Sequence, residues 1–252
     1  MNGRANESPN RFWPTLAFRR YWFLVAFFLL LAAVVAPFDS TISAYSNRHF
    51  LRGDLTRIIM LSEIFAHGFG IILVLVGIFV LSPASRRFLP RLAICGFFPG
   101  LLVQGLKAIF ARKRPTSFQG EFPLDVAETW VGFMPKSEFN GEYFMQSFPS
   151  AHTATAISFA IGMAWIFPRG RWLFFVCAAL AAYQRVVFEA HWMSDVMVGA
   201  AMGTMVGCAM TQNWGFGYWC GLYEKSKDKP HLRLADFGDE SELGEKRTRI
   251  AA

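Results

Sequence analysis

Two histidines, three cations and a serine stand out, because their types and spacing suit chemistry on an oxyanion. Lys107 lies seven residues before Arg114, two helical turns if the helix persists, so both cations can face one way. Ser150 and His152 follow Pro149 at the start of an apolar block. Further on come Arg185, His191 and Asp195, the last two separated by four residues, or one helical turn. That spacing lets a carboxylate hold one imidazole nitrogen and leave the other free to attack. Three cations, a hydroxyl and two imidazoles fit an anion with several oxygens that gains charge in its transition state, and phosphate meets that description. Ser150 at a helix start would bring backbone N–H groups to the same anion. Each piece alone has a plainer reading: a snorkelling lysine, an Arg-Pro helix stop, an N-cap serine, a satisfied core histidine. The order and the shared location carry the argument.

The elements that must position these groups are transmembrane helices. The chain has 252 residues, 54% hydrophobic, 16% aromatic and only 17% charged, against about 25% charge in a soluble domain. That excludes a disordered chain and a disulfide scaffold. The apolar residues fall into six blocks of about 17–24 residues, the length a helix needs to cross hydrocarbon. Their approximate bounds are 21–38, 58–81, 92–110, 150–167, 172–188 and 192–210. The first block is long for a signal peptide and is read as a retained helix. The end of an odd span and the start of the next even span share one membrane face, so the three polar groups lie on one face whichever way the chain points. With the N-terminus inside, sixteen of the 25 Lys and Arg residues fall on the inner side, which predicts both termini in the cytoplasm and the polar groups outside. The net charge of +7 then concerns topology rather than nucleic acid.

Read as motifs, the three groups are Lys107-AIFARK-Arg114-Pro115, Pro149-Ser150-Ala151-His152 and Gln184-Arg185-VVFEA-His191-WMS-Asp195. They resemble the K-x6-RP, PSGH and SR-x5-H-x3-D signature of the type 2 phosphatidic acid phosphatase superfamily. The resemblance covers roughly residues 92–210. It departs at Ala151, where the family has Gly, and at Gln184, where it has Ser, so one hydroxyl contact to phosphate is lost or supplied by the amide. The resemblance implies an all-α, six-helix membrane bundle of the phosphatase/haloperoxidase type and a two-step phosphoryl transfer that needs no metal or other cofactor. In it His191 is the nucleophile, Asp195 fixes its tautomer, and His152 protonates the leaving lipid oxygen and then activates water. Lys107, Arg114 and Arg185 hold the phosphate oxygens and Ser150 donates a hydrogen bond. The expected substrate is a lipid phosphate or diphosphate in the bilayer. The rivals are a phosphoryl transferase of the same superfamily and a non-enzymatic anion or lipid transporter.

Other polar residues carry lesser expectations. Glu63 and His67, one turn apart in the second block, read as an internal hydrogen-bonded pair, with a metal site shared with His191 and Asp195 as the alternative. The segment 116–148 reads as a long solvated connection that helps bind substrate, with Trp130, Phe133 and Phe139 at the interface. Gly199, Gly203 and Gly207 put a smooth stripe on one face of the sixth span, for packing inside the bundle or for a dimer seam. The four cysteines read as packing residues. The chain divides into a cytoplasmic segment 1–20, a phosphatase domain 21–210 and a cytoplasmic tail 211–252, mobile from about residue 224.

Overall fold

The computed structural model describes residues 18–48, 53–119, 124–133, 143–212 and 215–228. Helix α1 (Phe18–Val35) runs through a 3-10 turn at Ala36–Phe38 into α2 (Asp39–Arg48). Next come α3 (Asp54–Ser62), α4 (Gly68–Leu81) and α5 (Leu89–Lys107). Strand β1 (Phe110–Arg112) pairs antiparallel with β2 (Trp130–Phe133), which follows the short α6 (Val126–Thr129). Helices α7 (Ala151–Ile166), α8 (Arg171–Val187), α9 (Met193–Thr211) and α10 (Gly215–Asp228) complete the described chain.

All six apolar blocks fold as helix. Three helices, Trp22–Ser46, Pro83–Lys107 and Met193–Thr211, are long and apolar enough to cross a membrane, and a fourth span results if a bent pair is counted as one. Large apolar side chains on the outside, such as Phe23 at 66% exposure and Leu81 at 83%, suit hydrocarbon and not water.

The bent pair corrects the second predicted span. Instead of one helix, a 3-10 turn at Glu63–Ala66 ends α3, His67 is extended at φ −97° and ψ 140°, and α4 leaves at 71°. The His67 Nδ1 caps α4 by accepting the Phe69 N–H at 3.4 Å. Gly70 permits the bend, because a Cβ there would overlap the Ile64 carbonyl. The two glycines flanking Phe69 were the visible signal; mean hydropathy passes over such a break.

Helix α7 lies at the centre, packed on α5, α8 and α9, while α9 also packs on α1. Lipid tails are as apolar as leucine, so helix contact here rests on close van der Waals fit. Gly199, Gly203 and Gly207 supply it on the α9 face that meets α7: a Cβ on Gly199 would stand 2.5 Å from the Ser150 carbonyl oxygen, and one on Gly207 would stand 2.9 Å from Ile161 Cβ. The stripe therefore serves the bundle interior. Ile71, Leu92 and Phe159 fill the gap between α4, α5 and α7.

At the other end the supposed tail begins as structure. In α10, Glu224 is only 7% exposed and forms a buried ion pair with Arg91 (2.6 Å), whose Nη2 also donates to the Gly217 carbonyl at 3.1 Å. Helix thus continues to Asp228; the remainder of the predicted mobile tail lies outside the described residues. The segment 116–148 is likewise more than a connection, since it holds a 3-10 turn, α6 and β2; Trp130 is 39% and Phe133 74% exposed, and Phe139 lies outside the described residues.

Candidate active site

Each polar group arrives at the end of an element. Helix α5 stops at Lys107 as the chain turns into β1, so the helix does not persist to Arg114 as the spacing assumed. Lys107 is nevertheless buried at 6% exposure, and among the described residues it has no hydrogen bond or ion pair. Arg114 is extended, with its guanidinium 3.7 Å from the centre of the Tyr143 ring. It donates from Nε to the Tyr143 carbonyl (2.9 Å), from Nη1 to that of Ala190 (3.0 Å) and from Nη2 to that of Gln146 (3.2 Å). Those bonds fix its place and leave one N–H on each terminal nitrogen for a ligand.

Ser150 is the N-cap of α7, fully buried, its hydroxyl accepting the Thr153 N–H at 3.5 Å and lying 3.0 Å from Thr153 Oγ1. Its own N–H donates to the Asp195 carbonyl (3.2 Å), which ties the start of α7 to the start of α9. The first N–H groups of α7 then have no intrahelical partner. His152 follows, with 29% of its side chain exposed. It borders a cavity of about 380 Å³ lined by Ala66, His67, Gly68, Phe97 and Leu101, an apolar cleft between the bend, α5 and α7.

His191 sits in the turn between α8 and α9. The Arg185 carbonyl accepts the N–H of both Ala190 (3.0 Å) and His191 (3.1 Å), with Glu189 at φ +52° making the reversal. This turn is why an arginine and a histidine six residues apart meet. His191 is 2% exposed, and its Nδ1 lies 2.5 Å from the Ser147 carbonyl oxygen. A carbonyl only accepts, so Nδ1 carries the proton and Nε2 presents its lone pair. Burial holds this imidazole well below its usual pKa range, and the charges of Lys107 and Arg114 push the same way. The ring is therefore neutral at ordinary pH, with the Nε2 lone pair turned away from the Ser147 carbonyl.

Asp195 does not hold His191 in the manner the four-residue spacing suggests. Its Oδ2 is 4.0 Å from Nδ1, because residues 190–192 are not helical and α9 begins at Met193. Asp195 is instead the third residue of α9, where it accepts the Trp192 N–H (3.1 Å) and the Ser147 hydroxyl (2.5 Å). It also pairs with Arg112 at 2.5 Å. Ser147 thus touches both residues, with its carbonyl on His191 and its hydroxyl on Asp195.

Arg112 is the residue that sequence reasoning missed within the basic cluster. It is 1% exposed, ion-paired to Asp39 (2.7 Å) as well as Asp195, and donates to Thr129 Oγ1 (3.1 Å) and Ser194 Oγ (2.8 Å). Asp39, fully buried, further accepts the Ser194 N–H at 2.9 Å. The only visible signal was an acidic residue directly after the first apolar block. Behind the site, then, a cation is clasped by two carboxylates from α2 and α9.

Glu63 and His67 are not a pair. From the bend, the Glu63 carboxylate reaches Arg185 Nη2 at 2.8 Å, with His152 Nε2 at 3.4 Å, and its other oxygen accepts from Gln184 Nε2 at 3.2 Å. Gln184 Oε1 in turn accepts from Arg185 Nε. The Gln184 amide is thus engaged with protein. The four-residue metal alternative is divided, since Glu63 goes to Arg185 and Asp195 to Arg112; among the described residues no three His, Cys, Asp or Glu side chains are grouped as a metal ion needs.

Comparison with known proteins agrees with this frame. The profile of the PAP2 superfamily matches residues 88–218. Over 106 residues the chain is 36% identical to lipid A 1-phosphatase of Rhizobium etli, covering 42% of this chain and 41% of that protein. It is 32% identical over 123 residues to lipid A 4'-phosphatase of Porphyromonas gingivalis, covering 48% and 45%. The chain spans less than half the length of these curated relatives. Its fold matches the crystal structure of a transmembrane PAP2-type phosphatidylglycerolphosphate phosphatase from Bacillus subtilis with a TM-score of 0.53 at 17% identity, over 86% of this chain and 100% of that one.

Proposed function

Because the chain belongs to the PAP2 superfamily, we propose that it is an integral membrane phosphatase that removes phosphate from a lipid phosphate or diphosphate by way of a phosphohistidine. The observation that carries this reading is the buried Lys107 ammonium, unpaired among the described residues, beside Arg114, Arg185 and a neutral His191. Buried cations without counter-ions are costly unless an anion completes the site. A phosphate group supplies that anion, and its charge grows in the transition state.

His191 Nε2 forms the bond to phosphorus as the bond to the lipid oxygen breaks. The His152 imidazolium passes its proton to that oxygen, and the lipid alcohol leaves. His152 then takes a proton from water, whose oxygen attacks phosphorus as the bond from phosphorus to His191 Nε2 breaks, which returns the lone pair to Nε2 and releases inorganic phosphate. Lys107, Arg114 and Arg185 bind the phosphate oxygens, helped by Ser150 and the N–H groups at the start of α7. The Ser147 carbonyl holds the reactive tautomer of His191. The apolar cleft beside His152 suits the lipid end of the leaving group. The names of the two curated relatives make a phosphate on lipid A the first substrate to try, with phosphatidate and undecaprenyl diphosphate beside it. The Lys and Arg distribution supports a site on the outer face of the cytoplasmic membrane with both termini inside.

Rapid-quench phosphate labelling of His191→Ala and His152→Ala with two esters tests the assignment. His191→Ala should form no phosphoenzyme with either. His152→Ala should slow phosphoenzyme formation from a lipid alkyl phosphate by roughly 10²–10⁴-fold and spare its formation from p-nitrophenyl phosphate, whose leaving group departs without a proton, while breakdown of the phosphoenzyme slows with both. Phosphohistidine in His191→Ala would reverse the roles.

A further inference from the structure

The site as described has an imbalance. His152 must carry a proton to serve as acid, yet the charges around it are nearly all positive: Arg185 on α8, Lys107 on α5 and Arg114 beyond β1, with the His67 ring centroid 6.4 Å from its own. A fourth positive charge among these is disfavoured unless an anion stands near. Among the described side chains the anion placed to do so is Glu63, 3.4 Å from His152 Nε2. It is delivered there by the break in the second span, which turns the 3-10 segment Glu63–Ala66 toward α7 and α8. It is held there by two donors, Arg185 Nη2 at 2.8 Å and Gln184 Nε2 at 3.2 Å. A serine at position 184 would be too short to bridge Arg185 and Glu63 as the glutamine does.

We propose that Glu63 is a positioning residue for the leaving-group step: it is the counter-charge that favours the protonated form of His152 and fixes its ring by the contact at Nε2, with Gln184 and Arg185 fixing its carboxylate. The inference rests on the proposed role of His152 as acid. No atom of Glu63 bonds to substrate and its own proton count does not change. The imidazolium proton goes to the lipid oxygen in the first step and is replaced from water in the second.

The test uses the full chain in detergent, with phosphatidate and p-nitrophenyl phosphate as paired substrates and the variants Glu63→Gln, Glu63→Asp and His152→Ala. Glu63 is 37% exposed, so solvent weakens the pairing, and the expected loss in Glu63→Gln is about tenfold in kcat on phosphatidate, the size of one pKa unit. KM and the rate of phosphoenzyme formation from p-nitrophenyl phosphate should stay within about twofold, the high-pH limb of the phosphatidate profile should begin at lower pH, and Glu63→Asp should recover much of the loss. Equal losses in phosphoenzyme formation from both esters would make Glu63 a support of the fold and overturn the proposal. A fall in KM on both with kcat unchanged would make it a competitor for Arg185, and overturn it equally. If His152→Ala shows the leaving-group dependence and Glu63→Gln does not, this inference fails alone; if His152→Ala shows none, the assignment of the acid fails first.

Discussion

Replacing Arg112 by methionine should be the most damaging change in the protein that touches no substrate. The residue is 1% exposed and lies between two fully buried carboxylates, Asp39 at 2.7 Å and Asp195 at 2.5 Å. Removing one partner of a buried pair costs about 3–5 kcal/mol, because the other charge is left uncompensated. Here two charges of one sign would be orphaned side by side, so the upper end applies, against a total domain stability of about 5–15 kcal/mol. A loss of 3–5 kcal/mol lowers the folding equilibrium roughly a hundred- to several-thousand-fold and moves the midpoint of thermal unfolding by about 6–20 °C. Asp39→Asn acts differently, since Arg112 keeps Asp195 and the cluster becomes neutral; about 1–3 kcal/mol is expected for the weakened hydrogen bonds. Combining Arg112→Met with Asp39→Asn and Asp195→Asn should then recover much of the loss, as charge-free replacements of buried ionic clusters do. Thermal unfolding of the detergent-solubilised variants, followed by circular dichroism, ranks the three. If Arg112→Met unfolds no more easily than Asp39→Asn, or if the triple variant is no better than Arg112→Met alone, the charge argument is wrong.

Gly203→Ala should destabilise by about 1–3 kcal/mol, since the added Cβ would overlap the Ala154 carbonyl and stand 3.0 Å from Ile157 Cβ, whereas Gly77→Ala, with nothing within 4 Å, should be neutral or better; equal midpoints would refute the packing role. The folded chain holds His191 well below the ordinary histidine pKa, so it takes up this proton at lower pH than the unfolded chain. The associated stability is complete above pH ~6.5 and is lost as pH falls below it; His191→Gln should flatten that slope by up to about 1.4 kcal/mol per pH unit, and parallel slopes would count against a buried neutral ring.

Much of this is legible in the amino-acid sequence. The six apolar blocks became helices because a run of apolar residues long enough for hydrocarbon has no other way to satisfy its backbone there. The three polar groups came together because alternate span ends share a face. What escaped notice had physical reasons. Asp39 and Arg112 are far apart in the chain, and a contact at that range leaves no local pattern. The pairing of His191 with Asp195 was inferred from helical spacing, but α9 starts only at Met193, so the periodicity did not apply. The break at His67 hid inside a strongly apolar block, although Gly68 and Gly70 marked it.

The double contact of Ser147 has a consequence for inheritance. Its hydroxyl half, which meets Asp195, can be deleted by a single codon change, and a scan of alanine variants would record it. Its carbonyl half, which sets the protonation of His191, belongs to the main chain and is encoded by every amino acid alike. Variation at position 147 can therefore wear away the frame while His191 keeps its proton in place, and residue-by-residue genetics will be blind to the main-chain contact. Lineages can drift at this position without losing the tautomer of His191, provided the backbone between Gln146 and Pro149 follows the same path.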